Sequence, residues 1–260
     1  MGSALLKGWQ KGSLGDVTFI DPLEKESLFK IVHNKKSLPY WHVKSVEHLR
    51  DIGTHFEACI VAIKPQVLKN EANVLRFIAE SGTLMISIAA GTHSSTLIEA
   101  WGETAKIIRA MPNTPGAIGK GITGLYAAQN ITSRERKLAN KLMSALGERV
   151  WVDREDLIDV VTAVSGSGPA YVFYLAEAMT QAGVVAGLSY QQAEQLSRAT
   201  IAGAGALLKS EKKIGAAELR QAVTSPGGTT VAALGVLMPE LTDLMTRAIL
   251  AAKKRAEELR

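Results

Sequence analysis

The sequence predicts a doubly wound, mostly parallel α/β sheet over residues 1–152 and an all-helical region over residues 153–260. Three observations lead there. Unalternated apolar runs of strand length recur in the first part, each closed by Pro or Gly and separated from the next by a helical stretch. Strands buried on both faces and covered by helices read this way. After Asp153 the strand signal stops and long helical periodicities take over. That second part is rich in small residues, with Ala199, Ala202, Gly203, Ala204, Gly205 and Ala206 in one stretch, which suits helices interleaved between subunits.

The elements follow in order. The chain opens on a helix, Gly2-Ser3-Ala4-Leu5-Leu6-Lys7-Gly8-Trp9, and Val17–Ile20 reads as a strand. Ala58–Ile63 is an apolar run closed by Pro65, Thr83–Ile88 is closed by Gly91, and Ala105–Met111 is stopped by Pro112. Helical stretches at Val67–Glu80 and Ser94–Trp101 lie between them. A later pair of strands, around Gly124–Ala127 and Arg149–Val152, flanks a helix from Ser133 to Leu146. Ala170–Gly183, Ser189–Lys209, Thr230–Leu237 and Leu241–Leu259 complete the helical part.

Composition narrows the function. A chain of 260 residues with 47% hydrophobic and 21% charged residues is globular rather than disordered. A single cysteine, Cys59, rules out a disulfide framework and a thiolate zinc site. No apolar run reaches the ~20 residues of a membrane helix, and no secretory signal opens the chain, so the expected compartment is the cytoplasm. The net charge of +5 is spread, with small clusters at Lys35–Lys36, Lys212–Lys213 and Lys253–Lys254–Arg255. With 5% aromatics there is no base-stacking platform, which argues against nucleic acid as a partner. His33, His42, His48, His55 and His93 show no metal-ligand spacing, so no metal is expected.

The front of the chain carries half of a nucleotide fingerprint. A doubly wound fold opens with a strand, a Gly-x-Gly-x-x-Gly turn and a helix. Here Gly2 stands where the last glycine of that turn belongs, directly before the helix. Asp21 follows 19 residues later at the end of the next strand, where an acid hydrogen-bonds the adenine ribose. Asp21-Pro22 is also an ordinary strand-ending turn. The strand and first two glycines are not in the sequence, and a strand central to the sheet would leave unpaired backbone behind it.

Five segments carry a family resemblance: Ala62-Ile63-Lys64-Pro65-Gln66, Ser87-Ile88-Ala89-Ala90-Gly91, Arg109-Ala110-Met111-Pro112-Asn113-Thr114-Pro115, Ser165-Gly166-Ser167-Gly168-Pro169-Ala170-Tyr171 and Val223-Thr224-Ser225-Pro226-Gly227-Gly228-Thr229-Thr230. In this order they resemble pyrroline-5-carboxylate reductase, over essentially the whole chain. The resemblance implies a Rossmann-type domain lacking its first strand, followed by a helical dimerisation domain. It implies reduction of 1-pyrroline-5-carboxylate to L-proline with NADPH or NADH, the last step of L-proline biosynthesis, by a homodimer or larger homo-oligomer. It makes Thr230 the catalytic hydroxyl beside the ring nitrogen, with Ser225, Gly227, Gly228, Thr229, Thr230 and Glu155 on the substrate side. It places Gly2, Asp21, Ala62, Ile63, Lys64, Pro65, Ala89, Ala90, Gly91 and Asn113 against the cofactor.

The residues themselves allow plainer readings. Thr230 can be a helix cap, Glu155 a first-turn acid complementing a helix dipole, and Lys64 a solvated loop lysine. The alternative function is an inactive, N-terminally truncated remnant that keeps the helical assembly domain but lacks cofactor binding, and acts only as a helical oligomerising protein. An acid at Asp21 repels a 2′-phosphate, so NADH is expected to serve at least as well as NADPH.

Overall fold

The computed structural model describes residues 1–10, 14–21, 40–43, 45–51, 55–129 and 131–259. Pro22, the Lys35–Lys36 pair and His33 lie outside the described residues. The chain divides into two compact units: Met1–Gly166 with Ala252–Arg260, and Ser167–Ala251.

The first unit opens on α1 (Gly2–Trp9), whose Leu5, Leu6 and Trp9 form a buried stripe. Two parallel strands, β1 (Val17–Ile20) and β2 (Tyr40–Val43), pair with each other, and Phe19 stacks on His42. The helix α2 (Val46–Asp51) follows. A five-stranded sheet then forms in the order β3 (Ala58–Val61), β4 (Leu84–Ser87), β5 (Lys106–Met111), β6 (Gly121–Gln129) and β7 (Gly147–Val152). All four residues of β4 are buried, as the unbroken apolar run requires.

The two sheets share two apolar cores. Val17 and Phe19 of β1 and Ala58 and Ile60 of β3 join α1 in one core. Ile20 of β1 and Cys59 and Val61 of β3 join the other, with Trp101 and Leu97. The alternation is the same in both strands, so β1 and β3 belong to one layer. Yet β1 and β3 are not hydrogen-bonded to each other, and no described strand stands between them.

Three features differ from the sequence reading. The sheet is not wholly parallel, because β5 and β6 run antiparallel. Only the segment 112–120 joins them, too short for a parallel crossover. The stretch 67–80 is not one helix: α3 (Pro65–Glu71) passes through a 3₁₀ segment, Ala72–Leu75, into α4 (Arg76–Glu80). The buried Trp101 indole donates to the Ala72 carbonyl at 2.9 Å and takes it out of the regular ladder. The last two predicted helices are one.

The remaining helices are α5 (Ser94–Trp101), α6 (Ser133–Met143), α7 (Leu157–Val161), α8 (Gly168–Val185), α9 (Tyr190–Ser210), α10 (Ala216–Ala222) and α11 (Thr229–Glu258). Capping boxes start α6, from Thr132 and Glu135, and α9, from Ser189 and Gln192. Pro239 lies inside α11. Its missing N–H deprives only the Gly235 carbonyl, so the helix continues through it.

In the second unit α8 and α9 pack closely, a Cβ on Gly183 falling 3.1 Å from that of Ala193. Much apolar surface stays exposed, including Phe173 and Tyr174 on α8 and Val236 and Leu244 on α11. Gly203 and Gly205 of α9 face open space. No described helix is long and apolar enough to cross a membrane.

The divided sheet yields a prediction. A version extended before Met1 by an apolar strand and a Gly-x-Gly turn should join β1 and β3 and raise Tm by several degrees. An unchanged melting temperature would count against the shared layer.

Candidate active site

In the first unit the carboxyl ends of the parallel strands form a rim. Asp21 follows β1, and its backbone carbonyl lies 3.1 Å from His42 Nε2. Exposed Ala62, Ile63 and Lys64 follow β3, with Lys64 extended at the head of α3 and Pro65 at its first position. Gly2 begins α1 beside them, and a Cβ there would touch that of Ala62 at 3.4 Å. Ala89, Ala90 and Gly91 follow β4. The sequence-predicted cofactor residues after β3 and β4, and Gly2, thus share one rim, where open α/β sheets take ligands.

Gly91 is required twice. Its φ is +70°, and a Cβ would lie 2.8 Å from the Leu259 carbonyl oxygen. Beyond it, Thr92 Oγ1 and His93 Nε2 are buried without a hydrogen-bond partner among the described residues. Buried polar atoms ordinarily find a partner. Small side chains, a helix N-terminus and two orphan polar atoms together fit a dinucleotide lying on this rim.

Asn113, after β5, makes one hydrogen bond within the protein from each end of its amide. Its Nδ2 donates to the Ser165 carbonyl at 3.1 Å, and its Oδ1 accepts from Ile122 N at 3.0 Å. It braces the start of β6 against the segment before α8.

Glu155 belongs to the first unit, and the other predicted substrate residues belong to the second. Its Oε1 accepts from Ser94 N at 2.6 Å and from Arg109 Nη1 at 2.8 Å. Its Oε2 accepts from Ser94 Oγ at 2.6 Å and lies 3.6 Å from His93 Nδ1. The side chains of Arg109 and Glu155 are 3% and 18% exposed. Burial pushes the Glu155 carboxyl up, but the Ser94 hydroxyl and amide and the Arg109 guanidinium outweigh it and hold it below its ordinary value. The Tyr126 hydroxyl is pushed up by burial first and by Glu155 second, with Arg109 opposing. Sequence reasoning missed Ser94 and Arg109. An arginine inside the apolar run Ile107-Ile108-Arg109-Ala110 was the available signal, since a buried charge needs a partner.

In the second unit Ser225-Pro226-Gly227-Gly228 is a tight turn, closed by Gly228 N donating to Ser225 O at 3.0 Å. Pro226 followed by Gly227 at φ +70° is the type II pattern. A Cβ on Gly228 would fall 2.5 Å from Ser225 Oγ. The turn delivers the chain directly into α11, with Thr229 and Thr230 in its first turn. Its first N–H groups have no partner within the helix, and they and the dipole favour an anion.

Parallel strands between two cores, ligand-ready strand ends and a separate helical unit define a dinucleotide-binding α/β protein. Residues 155–259 match the family described as pyrroline-5-carboxylate reductase dimerisation. The pyrroline-5-carboxylate reductase of Pseudomonas aeruginosa is 41% identical over 205 residues, covering 78% of this chain and 74% of that protein. The structure of a pyrroline-5-carboxylate reductase from Coxiella burnetii superposes with a TM-score of 0.90 at 32% identity, covering 99% of this chain and 94% of that one. The Plasmodium falciparum pyrroline carboxylate reductase, solved with NADP bound, gives a TM-score of 0.79 at 29% identity, covering 100% and 94%. The chain belongs to the pyrroline-5-carboxylate reductase family.

The Glu155 network yields a stability prediction with a definite sign. The folded pKa lies below the unfolded one, so the stabilisation is whole above the unfolded carboxylate pKa of about 4.3 and is lost as pH falls through the folded value. Glu155→Gln strands the buried Arg109 charge and should cost roughly 3 kcal/mol at neutral pH. In denaturant titrations the gap between wild type and variant should shrink below about pH 4. A gap constant with pH would contradict it.

Proposed function

We propose that this protein reduces 1-pyrroline-5-carboxylate to L-proline with NADPH or NADH, the last step of L-proline biosynthesis. Family membership carries the reading, and the turn Ser225–Gly228 at the head of α11 supports it locally. We assign nucleotide binding to residues 1–152 and substrate binding and assembly to residues 153–260.

The substrate is a five-membered imine bearing a carboxylate. A nicotinamide cofactor, when bound, supplies the hydride that ends on the imine carbon, and a proton ends on the nitrogen. The protein needs no nucleophile of its own, so its work is positioning and electrostatics. The free N–H groups at the head of α11, with Gly227, Gly228 and Thr229, receive the carboxylate, and the Ser225 hydroxyl adds a donor. Gly227 and Gly228 leave the backbone open to close approach. The Thr230 hydroxyl donates to or relays a proton at the ring nitrogen. On the rim, Gly2 and α1 face pyrophosphate, Asp21 the adenine ribose, and Ala62, Ile63, Lys64, Pro65, Ala89, Ala90, Gly91 and Asn113 the nicotinamide half.

We also propose that subunits join through the helical unit. Phe173, Tyr174 and Val236 are each about two-thirds exposed or more. Leu241 and Leu250 of α11 are exposed as well. Exposed apolar area of this kind marks interfaces. We propose the cytoplasm as its compartment.

The test follows NADPH and NADH absorbance with 1-pyrroline-5-carboxylate, for this chain and for the version extended before Met1. Proline formation is expected, and Thr230→Ala should lower kcat about a hundredfold with little change in KM. Activity in neither version would overturn the substrate assignment.

A further inference from the structure

We infer that Glu155 is a positioning residue for the loop 88–93 at the carboxyl end of β4, and not a substrate contact. The inference rests on the reading above only in placing that loop against the cofactor.

Both carboxylate oxygens are already used. Three short hydrogen bonds reach them, from Ser94 N, Ser94 Oγ and Arg109 Nη1, and His93 Nδ1 stands 3.6 Å away. The charge is paired with a guanidinium that is itself buried. A carboxylate so engaged has little left to offer a substrate, whose own carboxylate it would repel.

The donors also come from separate elements. Ser94 is the first residue of α5, Arg109 is central in β5, and Glu155 lies in the turn before α7. One carboxylate therefore fixes the start of α5 against the neighbouring strand. The loop that enters α5 is held at its other end by Ala89 N donating to Ser87 Oγ at 3.3 Å. Between these two anchors stand Gly91, at positive φ against Leu259, and Thr92 and His93 with their orphan atoms. Without the Glu155 anchor the loop samples more conformations, and affinity for anything it binds falls by the fraction still competent.

The test compares wild type, Glu155→Gln, Ser94→Ala and Met143→Ala. Met143 is a buried core residue away from this network and controls for general loss of stability. Hydrogen exchange without cofactor is expected to quicken across 88–94 in Glu155→Gln, less so in Ser94→Ala, and not selectively in Met143→Ala. The Kd for NADPH, read by tryptophan fluorescence, should rise about tenfold in Glu155→Gln while KM for 1-pyrroline-5-carboxylate changes by less than about twofold. Unchanged loop protection in Glu155→Gln overturns the proposal. So does a raised substrate KM with NADPH affinity kept, which makes Glu155 a substrate contact. Selective loop loosening in a protein that binds no NADPH supports the positioning role and refutes the enzymatic reading instead.

Discussion

Every N–H and C=O of an extended strand needs a partner, and β1 and β3 each present one row with no described strand beside it. The rest of the first unit is arranged around this fact. The two strands feed the same pair of cores with the same alternation, so apolar packing holds them in one layer where backbone pairing does not. Their partial exposure follows, in contrast to the wholly buried β4. Cys59 sits on β3, and burial pushes its thiol up to about 12, leaving it a packing group rather than a nucleophile.

The same layer sets where chemistry can occur. Parallel strands end on one side, and their loops and following helix N-termini collect there. Ala62 and the Ala89–Gly91 segment meet that rim because β3 and β4 before them share a direction, and Gly2 meets it by packing against Ala62. The rim is then stiffened by a charge buried inside the sheet. Arg109 is buried and its charge is paired with Glu155, and Glu155 in turn holds the head of α5. A demand for charge compensation thus becomes an ordering device.

Much of this was legible in the sequence because period and punctuation were clean. The strands β1 and β3 to β5 came from unalternated apolar runs, and α5 came out residue for residue. The turn before α11 was legible because Pro followed by two Gly has few other uses. β2 was not, since Tyr40-Trp41-His42-Val43 is neither alternating nor wholly apolar and Trp41 is largely exposed. The antiparallel β6 was hidden in a loop length, and the break at Ala72 in an indole 29 residues away. The Glu155 network joins residues 61 and 46 positions apart, which no local pattern encodes. The resemblance to a family supplied Glu155, but with a substrate role that says nothing of these partners.

Amide hydrogen exchange at single-residue resolution across β1, β3 and β4 tests the divided layer most directly. Parallel strands turn alternate residues toward alternate neighbours, so alternate amides of Val17–Ile20 and Ala58–Val61 should exchange at nearly unprotected rates. All of Leu84–Ser87 should be protected. Uniform protection of β1 and β3, equal to that of β4, would show their outer rows paired and contradict the account.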